Sequence, residues 1–95
     1  MKLVIREAAA DDLDAIYDWI AKDSESSGAR VVRSLRQRMN SVLLPELVNI
    51  GRPGSREGTR ELIEGPYIIV YKVNEDRTVV TVLSVVHGAR SNFGH

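Results

Sequence analysis

The side chains of this 95-residue chain with the most chemistry in them are two histidines, His87 and His95, and a scatter of arginines. His87 opens a His-Gly-Ala-Arg run that ends at Arg90, and Ser91-Asn-Phe-Gly-His95 follows it. Imidazole titrates near neutrality and can pass a proton, and a guanidinium grips carboxylates or phosphates through its fork of N–H donors. At the end of a strand, such a run projects polar groups past the sheet. A satisfied structural imidazole at a strand terminus is an equally simple account of His87. Two histidines cannot make a zinc site by themselves. With no cysteine in the chain, a thiolate nucleophile, a thiolate metal site and a disulfide are all excluded. Gly51-Arg-Pro-Gly-Ser-Arg-Glu-Gly58 has the glycines of a phosphate cradle but no Gly-Lys-Ser or Gly-Lys-Thr, and it leads into a strand instead of a helix. It reads as a surface crossover, with Arg52 and Arg56 as solvated loop arginines.

The elements that must position these groups are legible from periodicity. Thr59 to Arg90 is rich in Val, Ile, Tyr and Thr and is punctuated by Gly65-Pro66 and by Asn74-Glu-Asp-Arg77, which predicts three consecutive strands joined by two hairpins. Tyr67, Ile69, Tyr71 and Val73 fall on one face of the middle strand and Ile68 and Val70 on the other, so that strand is expected to be central and partly covered on both sides. In the last strand Val79, Leu83 and Val85 are the expected core-facing set. Lys2 to Arg6 alternates as a short strand at or near a sheet edge.

Between these lie two helices. Leu13, Ile16, Tyr17 and Ile20 mark one face of a helix over about Ala9–Lys22, with Asp11, Asp12 and Asp14 favourably placed at the positive end of its dipole. Trp19 stands off the centre of that stripe, as a residue covering a core margin would. The polar run Asp23–Gly28 reads as a connection. Val32, Leu35, Met39, Val42 and Leu43 then mark a second helix over about Ala29–Leu44, which Pro45 ends or kinks. A short connection makes the two helices antiparallel neighbours, with both apolar stripes directed at the sheet. The expected architecture is α+β, in the order β-α-α-β-β-β, an antiparallel sheet packed against an α-helical hairpin. One domain spanning residues 1–95 is expected from the length.

The formal net charge is zero, which argues against a protein whose main task is to coat phosphate backbones. The charge is unevenly spread. Residues 1–28 carry seven carboxylates against three basic side chains, whereas residues 29–60 carry seven arginines against two glutamates. In an antiparallel helix pair much of this difference is expected to cancel as internal pairing along the solvated faces. No apolar run approaches a membrane-spanning length and no leader-like segment opens the chain, so a soluble cytoplasmic protein without membrane association is expected.

The order of elements, Gly51-Arg-Pro-Gly54, Arg60-Glu-Leu62, Gly65-Pro-Tyr-Ile-Ile-Val-Tyr71 and His87-Gly-Ala-Arg90 together resemble the RelE/ParE superfamily of toxins from type II toxin–antitoxin modules. The resemblance spans almost the whole chain. It implies an antiparallel sheet cradling a helical hairpin, and a partner antitoxin whose C-terminal segment wraps the toxin and blocks it. Members of the RelE-like branch cleave mRNA on the ribosome and resemble one another in a Tyr-Arg-aliphatic-Val-Tyr strand, whose arginine serves the phosphate, and in a C-terminal tyrosine or equivalent acid–base group. Here Ile68 takes the arginine's place, and Phe93, near the expected tyrosine, has no hydroxyl. Docking into the ribosomal decoding site also favours a strongly basic surface, which this chain lacks. The glycine, proline and His-Gly-Ala-Arg motifs look like the ParE-like branch, whose characterised members poison DNA gyrase.

On that resemblance the chain is expected to be a gyrase-binding inhibitor, with no catalytic residues, cofactor or metal, and with sequence-specific DNA contact only through its antitoxin. Arg90, His87, Arg60, Phe93 and His95 are the implied target-binding residues. Tyr17, Trp19, Arg52 and Arg56 are the implied antitoxin contacts, the antitoxin's helix lying in a groove between the hairpin and the sheet. For Arg60 a cross-strand ion pair near Glu61 or Glu64 is the competing account. A ribosome-dependent nuclease and an antitoxin-binding module without toxicity are the alternative functions.

Overall fold

A computed structural model of the chain describes residues 1–43 and 50–88. Arg90, Phe93 and His95 of the expected target-binding set, and Pro45 as a helix terminator, lie outside the described residues. The elements run β1 (Lys2–Ile5), α1 (Glu7–Ala21), α2 (Glu25–Ser41), β2 (Arg52–Pro53), β3 (Arg60–Glu64), β4 (Tyr67–Val73) and β5 (Val79–His87). They form one five-stranded sheet in the order β1-β5-β4-β3-β2, with the two helices packed against it. The fold is α+β, as expected.

Each helix buries part of the stripe its sequence marks, with Tyr17 and Ile20 of α1 left half-buried outside the core. Ala9 and Leu13 of α1 and Leu35 and Met39 of α2 are buried with Val42, Leu62, Ile69, Tyr71, Val80, Val82 and Val85, while Ile16, Val32 and Leu43 pack around them. Both helices begin earlier than periodicity alone suggests. Ser24 takes the N-cap of α2, its hydroxyl accepting a hydrogen bond from the Ser27 amide at 3.2 Å, so the helix starts at Glu25 and the connection shrinks to Lys22–Ser24. Gly28 therefore lies inside a helix. A Cβ there would stand 3.1 Å from Tyr17 Cδ1 and 3.2 Å from the Tyr17 carbonyl oxygen, so the glycine admits the ring and backbone of α1 at the crossing.

The sheet departs from expectation in three places. It is mixed, because β1 pairs in parallel with β5, Lys2 opposite Val79 and Ile5 opposite Val82; the hairpins β3–β4 and β4–β5 are antiparallel. A parallel pair requires a long connection, and here the helical hairpin and three strands supply it. The crossover after α2 is not wholly irregular: Arg52 and Pro53 pair with Glu61 and Arg60 as a fifth strand, which the proline permits because it lies at the sheet's edge. Finally, β5 buries Val80, Val82 and Val85, so of Val79, Leu83 and Val85 only the last faces the core as expected. Val70 pairs with Ser84 but Tyr71 with Val82, which leaves Leu83 as an extra residue. Such a bulge reverses the alternation of faces partway along the strand.

Candidate functional site

The end of β5 brings His87 together with Tyr67 and, across a groove, with Trp19. β1 borders β5 only from Val79 to Val82, and α1 lies beside β5 beyond that point. The Val85 amide donates to Asp12 Oδ2 of α1 at 2.8 Å. Tyr67 opens β4 directly opposite His87, and their rings meet edge to face with centroids 5.5 Å apart and planes at 83°. The Gly88 amide closes the same end through the Pro66 carbonyl at 2.6 Å.

Between α1 and this strand end runs a groove of about 570 Å³, lined by Asp12, Ile16, Trp19, Tyr67, Val85 and His87 among others. Trp19 is 70% exposed, and the Lys22 ammonium lies 5.2 Å from its ring centroid, close enough for a cation–π contact. A large indole left in water at the mouth of a partly apolar groove is the arrangement that takes up apolar and aromatic groups of a partner. Among the described residues no cluster of histidine and carboxylate side chains could hold a metal ion.

At the opposite edge of the sheet the arginines are engaged by the fold. Arg52 Nε lies 2.9 Å from Glu61 Oε1, directly across the β2–β3 pair. Arg60 donates from Nη2 to the Gly51 carbonyl, and among the described residues Glu61 and Glu64, its expected neighbours, are in ion pairs with Arg52 and Arg38 instead. The Gly51 amide donates to the buried Tyr71 hydroxyl at 3.2 Å. Arg56 is exposed at the loop tip, where its carbonyl accepts from the Thr59 hydroxyl at 2.6 Å.

The residues expected to form two sites are thus distributed over three places. Trp19 and His87, assigned separately to antitoxin and target, line one groove. Tyr17 lines a second groove, between α1 and α2, with Leu13, Val32, Arg33 and Arg36. Arg52, Arg56 and Arg60 occupy the β2–β3 edge, and Arg60 is paired with Tyr71 at the far end of β4 from Tyr67 and His87. Asp12 and Tyr67 enter the site unannounced. Asp12 reads as a helix-dipole residue until the bulged β5 presents it with an amide, and Tyr67 reads as core until His87 is found across from it.

The sheet face turned away from the helices is apolar at its centre. Ile68 is 7% exposed and pairs with Ile63 on one side and Val86 on the other, and Ile63 is 45% exposed.

The family model for the ParE toxin of type II toxin–antitoxin system, parDE, matches residues 3–92. A Sinorhizobium fredii protein, Y4kP, described as a candidate toxin, is 38% identical over 73 residues, which cover 75% of this chain and 74% of that protein. Among solved structures, the chain is similar to one of the chromosomal ParDE toxin–antitoxin system from P. aeruginosa, with a TM-score of 0.80 at 24% identity, covering 92% of this chain and 95% of that one. It is also similar to a chain of the RelBE2 toxin–antitoxin complex from Mycobacterium tuberculosis, with a TM-score of 0.67 at 23% identity, covering 90% and 95%. At these identities the structural likenesses establish the shared fold.

Proposed function

Since the chain belongs to the ParE toxin family of type II toxin–antitoxin systems, we propose that it is a toxin acting by binding, with DNA gyrase as its target and a cognate antitoxin as its neutraliser. The observation that carries the reading is the environment of Ile68. RNA cleavage needs a cation on the phosphate and a group that moves the proton of the ribose hydroxyl. Where the RNA-cleaving pattern described above has an arginine, this chain has an isoleucine packed between Ile63 and Val86, and replacing that contact by a guanidinium would break an apolar row.

Gyrase supercoiling tests the reading directly. The purified full-length chain is expected to inhibit supercoiling by gyrase and to increase the amount of cleaved DNA trapped on the enzyme. If gyrase is untouched while the chain cuts translated mRNA in codon phase, the binding mechanism is wrong. If the chain expressed alone leaves growth unaffected, toxicity itself is absent.

The antitoxin is assigned to the groove between α1 and the end of β5, where the exposed Trp19 ring and the Tyr67–His87 pair offer an anchor for an apolar side chain of the antitoxin's C-terminal segment. The two similar solved structures come from toxin–antitoxin systems, which supports a protein partner of this kind. Trp19→Ala should weaken capture of the toxin by the product of an adjacent antitoxin reading frame without altering the fold. An unchanged affinity would move the antitoxin to another surface. A target of this kind lies in the cytoplasm, and no described helix is long and apolar enough to cross a membrane.

A further inference from the structure

The helical hairpin turns a charged face away from the sheet. In α1, Asp11, Asp14 and Asp18 are exposed and, at spacings of three and four residues, lie on the side opposite Ala9, Leu13 and Ile16. In α2, Arg30, Arg33 and Arg36 are exposed and lie opposite Leu35, Met39 and Val42. These six side chains make no ion pair: among the described residues the ion pairs are Arg38 with Glu64 and Arg52 with Glu61, and neither joins the two helices. The internal cancellation of charge expected from the sequence is therefore not what the fold does. A row of arginines at i, i+3 repels along its own helix, as does the row of aspartates, so each row is worth slightly more with a partner than without one.

We propose that this face binds a second copy of the chain, in a two-fold dimer held by α1 of each copy against α2 of the other. The occupant follows from charge complementarity. An acidic peptide would suit the arginine row but meet the aspartates of α1, and Asp14 lies on the same groove as Arg33 and Arg36. Nucleic acid would meet the same repulsion. A second copy satisfies both rows at once. A two-fold axis running along the hairpin places the second α1 over the first α2 and antiparallel to it, since the two helices of one hairpin are themselves antiparallel.

The register also agrees. Gly28 packs on Tyr17, which fixes the levels of the two helices within one hairpin, and a two-fold axis along them preserves those levels. Asp18 of one copy then faces the neighbourhood of Arg30 of the other, Asp14 lies between Arg30 and Arg33, and Asp11 between Arg33 and Arg36. With a rise of about 1.5 Å per residue, each carboxylate falls within a few ångströms of an arginine along the axis. The floor between the rows is the groove that holds Tyr17 and Val32. The face is about 25 Å long and about 20 Å across, roughly 1,000 Å² in total over both copies, at the lower limit for a specific interface. The dimer is consequently weak and sensitive to salt. It uses no residue of the Trp19–His87 groove, and it stands independently of gyrase as a target.

Sedimentation equilibrium of the full-length chain tests it. At low salt the mass should rise towards that of a dimer with concentration, and association should weaken by about tenfold or more at high salt. The variant D11R/D14R/D18R carries two basic rows and the variant R30D/R33D/R36D two acidic ones, so each alone should be monomeric, and an equimolar mixture should form the heterodimer. Circular dichroism of each variant confirms that it folds; should a triple variant fail, the pair D14R and R33D makes the same comparison. A wild-type chain that stays monomeric at low salt overturns the proposal. So does a dimer that either reversal leaves intact, or variants that do not associate on mixing. Association of the monomer with duplex DNA or polyglutamate, lost in R30D/R33D/R36D, would assign the arginine row to those ligands instead.

Discussion

Two groups of arginines stand apart in the basic stretch of this chain, and they have different lives. Arg52 and Arg60, with Arg38 at 3.6 Å from Glu64, are engaged by the sheet: a glutamate across a strand pair, a backbone carbonyl and a strand-end glutamate. Arg30, Arg33 and Arg36 touch none of these and form a row on the far side of α2. In the sequence both groups belong to one basic block. The difference shows that a guanidinium's role is set by what lies within its reach after folding: in the first group Arg52 and Arg60 fasten the β2–β3 edge and Arg38 ties α2 to β3, and the second is left for another molecule.

The largest effect that separates the two groups should come from the backbone that the first group fastens. Gly51→Ala would place a Cβ 2.6 Å from the Glu61 carbonyl oxygen and 2.9 Å from the Tyr71 hydroxyl, and β3 cannot retreat without leaving β4. A loss of about 3 kcal/mol in stability is expected, read from the urea midpoint. Arg60→Ala removes the donor to the Gly51 carbonyl and should cost about 2 kcal/mol. Should that variant unfold like the wild type, the fastening role of Arg60 is lost and its place among target contacts is strengthened.

Smaller effects sharpen the contrast. The Arg52 side chain is 58% exposed against 18% for Glu61, so Arg52→Ala should cost about 0.5 kcal/mol or less, vanishing in high salt. Arg33→Gln should leave the stability of the monomer within about 0.5 kcal/mol, since among the described residues it breaks no ion pair. A substantial loss there, in a chain shown to be monomeric, would mean that the α2 row supports the fold after all.

Local pattern carried much of the fold. The stripes of Leu13 and Ile16 and of Leu35 and Met39 pack into the core as their 3.6-residue period requires, and β4 is partly covered on both faces, as its apolar run implies. These properties depend on residues a few positions apart, whose relative directions the backbone fixes. The candidate site was legible only in its parts. Trp19 and His87 are conspicuous in the sequence, but they meet because α1 runs beside β5 beyond the last residue paired to β1.

What the sequence alone determined was the two-helix, sheet-forming plan, the absence of thiol chemistry and the isoleucine in place of a phosphate-binding arginine. Tertiary structure decided the parallel seat of β1, the bulge that sends Val80 and Val82 into the core where Leu83 was expected, and the partner each arginine finds. The physical reason is range. Periodicity is set by neighbours along the chain, whereas strand register, a bulged residue and the reach of a guanidinium depend on groups tens of residues away that only folding brings together.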